Sequence, residues 1–162
     1  METNKEKFIK NYSDGIPQIL KKNLIADIET TISTLMKISK NQKYSFLLES
    51  VEGGSNKGRY SLLGCDPDLI WSVKDNKASI TYLDEDYNYN VSSSPLSSLK
   101  DIINISKITN ENLEVPYPIL VGYLGYPMIK YMEKINLNNP DKINIPEAIL
   151  IRPKIVAVFD NV

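Results

Sequence analysis

Glu49, Ser50 and Arg59 are the side chains whose types and spacing best suit chemistry. They frame one turn. The run Phe46-Leu47-Leu48 ends in Glu49 and Ser50, passes through Gly53 and Gly54, and returns as a second run opened by Arg59. A small zwitterion needs such a set. A carboxylate such as Glu49 satisfies an ammonium, and a guanidinium or a free backbone N–H satisfies a carboxylate. The glycines allow a ligand close to the backbone, and nearby Leu and Tyr residues offer an apolar wall. A plain hairpin uses the same residues. There Glu49 and Arg59 form a cross-strand salt bridge with no ligand, a contact worth little when exposed. Strand geometry adds a constraint, because neighbours point to opposite faces. Glu49 and Ser50 can therefore meet one ligand only if the strand bulges or one of them contributes its backbone.

Other chemistries are excluded by what the chain lacks. It contains no histidine and one cysteine, so Ser-His-Asp triads, Cys-His pairs, His-based zinc sites and Cys-x-x-Cys clusters are ruled out. Carboxylates, lysines and tyrosines remain. Cys65 reads as a small buried hydrophobe, since no base-type partner is there to activate it. Neither glycine-rich phosphate motif occurs. Trp71 and the tyrosines at 82, 87, 89, 117, 123, 126 and 131 lie among acids and asparagines, not along a basic stripe that would stack bases. Asp84 to Tyr87 reads as solvated loop. A net charge of -1 gives no field for nucleic acid or an anionic membrane. The apolar run Ile155 to Phe159 is too short to span a bilayer, and the first ten residues lack the apolar core of a secretory signal. The lone cysteine suits a reducing compartment, so a cytoplasmic location is expected.

These residues must be positioned by the rest of a chain of 162 residues, the size of one domain. Pro17 to Ala26 reads as extended. Asp27, with Thr30 three residues on, is expected to cap a helix whose stripe Ile32, Leu35, Met36 and Ile38 faces the core. Strands are expected over Tyr44 to Ser50 and over Gly58 to Gly64. Two β-rich runs flanking Asp75-Asn76 predict a hairpin. Pro95 opens a short amphipathic helix carrying Leu96, Leu99, Ile102 and Ile103. Ile119 to Tyr126 reads as a strand with two glycines, followed by a two-turn helix from Met128. The segment from Glu147 on gives two strand-like runs separated at Pro153. Six of the seven glycines fall in two blocks, one around the opening turn and one at Gly122 and Gly125. Glycines inside strands signal bulges or close backbone approach. Mostly consecutive strands predict an α+β fold, a largely antiparallel β-sheet with about three helices.

Three ordered blocks carry a resemblance. FLLESVEGGSNKGRYSLLG, then VGYLGY, then RPKIVAVFDN closely resemble the N-terminal region of anthranilate synthase component I, a chorismate-utilising enzyme family, and the likeness runs from about Pro17 to Val162. The resemblance implies that residues 1–162 are a regulatory domain of a longer enzyme. The chorismate site, the Mg2+ ligands and the catalytic machinery belong to a C-terminal domain absent from this sequence. The whole enzyme makes anthranilate and pyruvate from chorismate and ammonia, with glutamine amidotransferase component II as partner. Catalytic residues and cofactors are thus expected to be absent here, and the chain alone inactive. Ser50 matches the family's tryptophan-contacting serine, Glu49 the acid beside it, and Arg59 a basic position of the same L-tryptophan pocket. A PSPYM-type segment completes that pocket outside these residues. The second block departs from the family, with Pro127 at the usual Asp and Lys130 at the usual Arg, while Glu133 is kept. Two alternatives stay open: component I of aminodeoxychorismate synthase, and a non-catalytic stand-alone binding module. The pairing of LLES with GRYSLLG favours the anthranilate enzyme.

Overall fold

The computed structural model describes residues 4–40, 42–49, 51–52, 56–83, 92–108, 119–137 and 142–161. Its backbone is a ribbon of two long antiparallel strands, β4 (Tyr60–Lys74) and β7 (Ala148–Asp160), paired along nearly their whole length. Short strands border the ribbon. β1 (Phe46–Leu48) and β5 (Lys77–Tyr82) pair successive parts of the free edge of β4, and β6 (Val121–Leu124) pairs the start of β7. A separate two-stranded ladder joins β2 (Val51–Glu52) to β3 (Asn56–Lys57). Among the described residues all the pairings are antiparallel, and three α-helices accompany them: α1 (Asn4–Ser13), α2 (Thr31–Ser39) and α3 (Pro95–Ile105). The expected α+β class is the observed one.

The two long strands differ from the expectation of shorter runs punctuated by proline. Pro67 lies inside β4, Pro153 inside β7, and the two face each other in the ladder. Each lacks an N–H, so both missing donors fall in one place instead of breaking the ribbon twice. Next to this rung the register slips. β4 advances from Pro67 to Leu69 while β7 advances only from Pro153 to Arg152, a β-bulge on β4. One inserted residue inverts the facing of every later side chain. Odd-numbered residues of β4 are buried before and after the bulge, but on opposite faces. Leu69, Trp71 and Val73 join Ile102, Met128 and Ala148 in one apolar cluster beneath α3, from which the equally buried Leu63 and Cys65 are absent. Trp71 Nε1 donates to Ser98 Oγ of α3 at 2.9 Å, which satisfies the one polar atom of this large buried ring. Cys65 lies under α2, its thiol 3.5 Å from the Ile38 carbonyl. Burial, and then the charge of Asp66, push that thiol upward, consistent with an inert hydrophobe.

The inserted residue is Asp68. Its carboxylate accepts two bonds from Arg152, from Nε at 2.9 Å and Nη2 at 2.8 Å, and Arg152 Nη1 reaches Ser106 Oγ after α3 at 2.9 Å. The bulge therefore carries a buried ion pair that ties α3 to the ribbon.

Several local expectations need correction. α2 is capped by Thr30, not Asp27: Thr30 Oγ1 accepts from Ser33 N and Ser33 Oγ accepts from Thr30 N, a reciprocal box. Its apolar stripe does not all face inward, for Ile32 is 59% and Met36 72% exposed. The strand expected over Tyr44 to Ser50 is shorter, because Tyr44 takes a left-handed backbone (φ 64) that breaks an extended run. The expected helix from Met128 is a 3-10 segment, Tyr126–Tyr131. So few residues between β6 and the next turn suit a tight connector better than an α-helix, which has a costly nucleus. α1 was not anticipated, its apolar positions being sparse. The Asp75-Asn76 hairpin is as expected, with both residues at positive φ (49 and 64), as a two-residue turn requires. The loop expected over Asp84 to Tyr87 lies outside the described residues.

Candidate functional site

The opening turn sits at one end of the β4–β7 ribbon. Leu48 of β1 is opposite Leu62, and Glu49 follows immediately. Glu49 is exposed, and its Oε1 accepts a bond from the hydroxyl of Thr31 at 2.6 Å. Thr31 is the first residue of α2 and only 4% exposed. The short distance is that of a charge-assisted O–H···O⁻ bond. The ladder of Val51 with Lys57 and Glu52 with Asn56 carries the chain out and back across the turn. Ser50, Gly53 and Gly54 lie outside the described residues.

Arg59 belongs to the same end but turns to the other neighbour of β4. Its Nε and Nη2 donate to the two carboxylate oxygens of Asp160 at 3.1 and 3.0 Å, and its guanidinium carbon is 4.9 Å from the centre of the Tyr60 ring. The hydrogen bonds to Asp160, then its charge, hold the guanidinium pKa above its ordinary value. The cross-strand salt bridge between Glu49 and Arg59 does not form. β4 is flanked by β1 on one side and β7 on the other, so Asp160 is the acid in register, and Glu49 is engaged by Thr31. Asn161 closes this end. Its N donates to the Arg59 carbonyl at 2.8 Å, and its Nδ2 to the Gly58 carbonyl at 2.9 Å and to Ser61 Oγ at 3.3 Å. Asp160 and Asn161 were missed as members of the site. Their one signal was position, since they end the third of the three blocks that carry the resemblance.

The second block is elsewhere. Val121 to Leu124 pairs with Ala148 to Ile151, at the far end of β7, on the order of 30 Å from Asp160 at strand rise. There Glu147 binds two side chains of the 3-10 segment. Lys130 Nζ lies 2.9 Å from its Oε1, and Tyr131 OH donates to Oε2 at 2.8 Å while also lying 3.0 Å from Asn76 Oδ1. Burial pushes the Glu147 carboxyl up, but the bonds from Lys130 and Tyr131 outweigh it and hold the group below its ordinary value. Burial, and then Glu147, push the Tyr131 phenol up. This cluster fastens the 3-10 segment to the ribbon. Gly122 serves the same junction: a Cβ there would stand 2.0 Å from the Ile149 carbonyl oxygen.

Among the described residues no three Asp, Glu, Cys or His side chains converge as a metal set, and no helix is long and apolar enough to cross a membrane.

No protein-family model matches the chain. Curated proteins do. Anthranilate synthase component 1 of Cereibacter sphaeroides (strain ATCC 17023) is 36% identical over 99% of this chain and 33% of its own length. The proteins of the same name from Pseudomonas putida and Pseudomonas aeruginosa (strain PAO1) are 33% and 32% identical, each over 98% of this chain. The chain is a relative of anthranilate synthase component 1. It spans about a third of the length of these curated relatives, 33% in each case. The crystal structure of anthranilate synthase component I from Streptococcus pneumoniae TIGR4 matches 89% of the chain and 30% of that protein at a TM-score of 0.50 and 19% identity. That likeness is one of fold.

Proposed function

We propose that this chain is the regulatory portion of an anthranilate synthase component 1, acting in tryptophan biosynthesis and holding L-tryptophan at the turn after β1. The observation that carries the reading is Glu49, a carboxylate fixed at one oxygen by Thr31 and exposed just after β1. The relationship over nearly the whole chain supports it, and the names of the relatives favour the anthranilate over the aminodeoxychorismate branch. Glu49 meets the ligand ammonium, and Ser50 supplies a further hydrogen bond. Arg59 offers the carboxylate Nη1, which lies outside its fork to Asp160. Regulation follows from differential affinity. Tryptophan binds more tightly to a conformation of the whole enzyme whose chorismate site is inactive, and shifts the population by that difference. Chorismate chemistry, Mg2+ binding and docking of glutamine amidotransferase component II belong to the rest of the enzyme, so this chain alone forms no anthranilate.

Calorimetric titration tests the reading. L-tryptophan is expected to bind and D-tryptophan not to, and Glu49→Ala is expected to abolish the heat of binding. Equal binding of both enantiomers, or binding that survives Glu49→Ala, would contradict it. Anthranilate fluorescence appearing when chorismate and ammonia are added to the chain alone would contradict the assignment of the chemistry elsewhere.

A further inference from the structure

We infer that Thr31 is a positioning residue of the amino-acid site: its hydroxyl fixes the Glu49 carboxylate so that Oε2 is presented to the ligand ammonium. The inference rests on the proposed tryptophan reading and adds an element, α2, that the resemblance does not bring to the site.

Two adjacent threonines divide the work at the start of α2. Thr30 does the capping, its hydroxyl accepting from Ser33 N at 3.0 Å. The hydroxyl of Thr31 is thereby released from capping and donates outward to Glu49 Oε1 at 2.6 Å. Its position is well determined. Thr31 is 4% exposed, its β-branched side chain has few rotamers, and the reciprocal cap fixes the backbone on which it stands. The helix is held at its other end too, where the Ile38 carbonyl receives the thiol of Cys65 in β4. An exposed glutamate alone would sample several rotamers. A single donor on one oxygen selects among them and leaves the other oxygen outward. The first turn of α2 adds its partial positive charge, which favours the ionised carboxylate that an ammonium needs. Occupancy at Glu49 is thus tied to the seating of α2 on β1 and β4.

Titration of L-tryptophan into the chain and its variants tests this. Thr31→Val keeps shape and removes the donor, and is expected to weaken binding about tenfold, the scale of a hydrogen bond to a charged group. Thr31→Ser restores the hydroxyl and is expected to return affinity to within about threefold of the parent. Unchanged affinity in Thr31→Val, with the parent binding, overturns the positioning role and leaves the tryptophan reading standing. Equal loss in the Val and Ser variants also overturns it, since packing would then be the cause. If the parent itself binds no tryptophan, the proposal that this chain holds tryptophan by itself falls. Denaturant unfolding of Thr31→Val, Glu49→Ala and the double variant then decides the contact without ligand. A coupling of about fivefold in the unfolding constant supports the Thr31–Glu49 link, and additive effects overturn it.

Discussion

At the scale of single residues, the side chains that hold the domain together differ from those that suit a ligand. Glu49 and Arg59 are exposed, and their partners leave part of each group available. Asp68 and Arg152 are only 12% and 11% exposed at the side chain and are spent on each other and on Ser106. Their contribution is asymmetric. Arg152→Met strands a carboxylate at the bulge and is expected to destabilise the domain by about 3–5 kcal/mol in urea unfolding, the usual result of breaking a buried pair. Replacing both, Arg152→Met with Asp68→Leu, is expected to recover most of that loss, because the desolvation of both charges goes with them. A double variant as unstable as the single one would mean that the bulge itself requires the ion pair.

Among the elements, the junction of β6 with β7 is the most sensitive to one atom. Gly122 has φ 157, and a Cβ there would meet backbone, not a side chain able to move aside. Gly122→Ala is expected to lower stability by about 1–3 kcal/mol, an overpacking cost, and to loosen the 3-10 segment that follows. Slower tryptic cleavage at Lys130 in the variant than in the parent would contradict this. Much at this scale was legible in sequence. Asp75-Asn76 between β-rich runs announced its hairpin, Pro95 its helix, and the glycines of the second block a close approach. The long strands were hidden because proline ordinarily ends a strand, and nothing local says that Pro67 and Pro153 stand opposite one another. The start of α2 was misplaced because its box uses Ser33 where the usual signature has Glu or Gln. For the candidate site, Glu49 was recognised by its neighbours in sequence. Thr31 and Asp160 were not, since they reach their partners across 18 and 101 residues, and only the folded chain brings them together.

At the scale of the whole molecule, large apolar side chains stand exposed around the start of α2. Ile25 and Ile28 are 90% and 93% exposed just before α2, and Ile32 and Met36 are exposed within it. Exposed patches of this kind mark surfaces that associate. Light scattering of the chain is expected to show mass rising with concentration, and Ile28→Glu with Met36→Glu to suppress the rise. A constant monomer mass at high concentration would show that this surface is tolerated in water.

The pairing of Arg59 with Asp160 also has a meaning in time. The β4–β5 hairpin closes through a two-residue turn, and such local contacts form early. The end of the ribbon that carries Glu49 has to wait for β7, since Arg59 meets Asp160 only after the 101 residues that separate them have been made. During synthesis from the N-terminus, Glu49 and Thr31 leave the ribosome long before the strand that stitches down the start of β4. The earliest residues of the proposed site therefore sit at an end of the ribbon that closes only once β7 has been made.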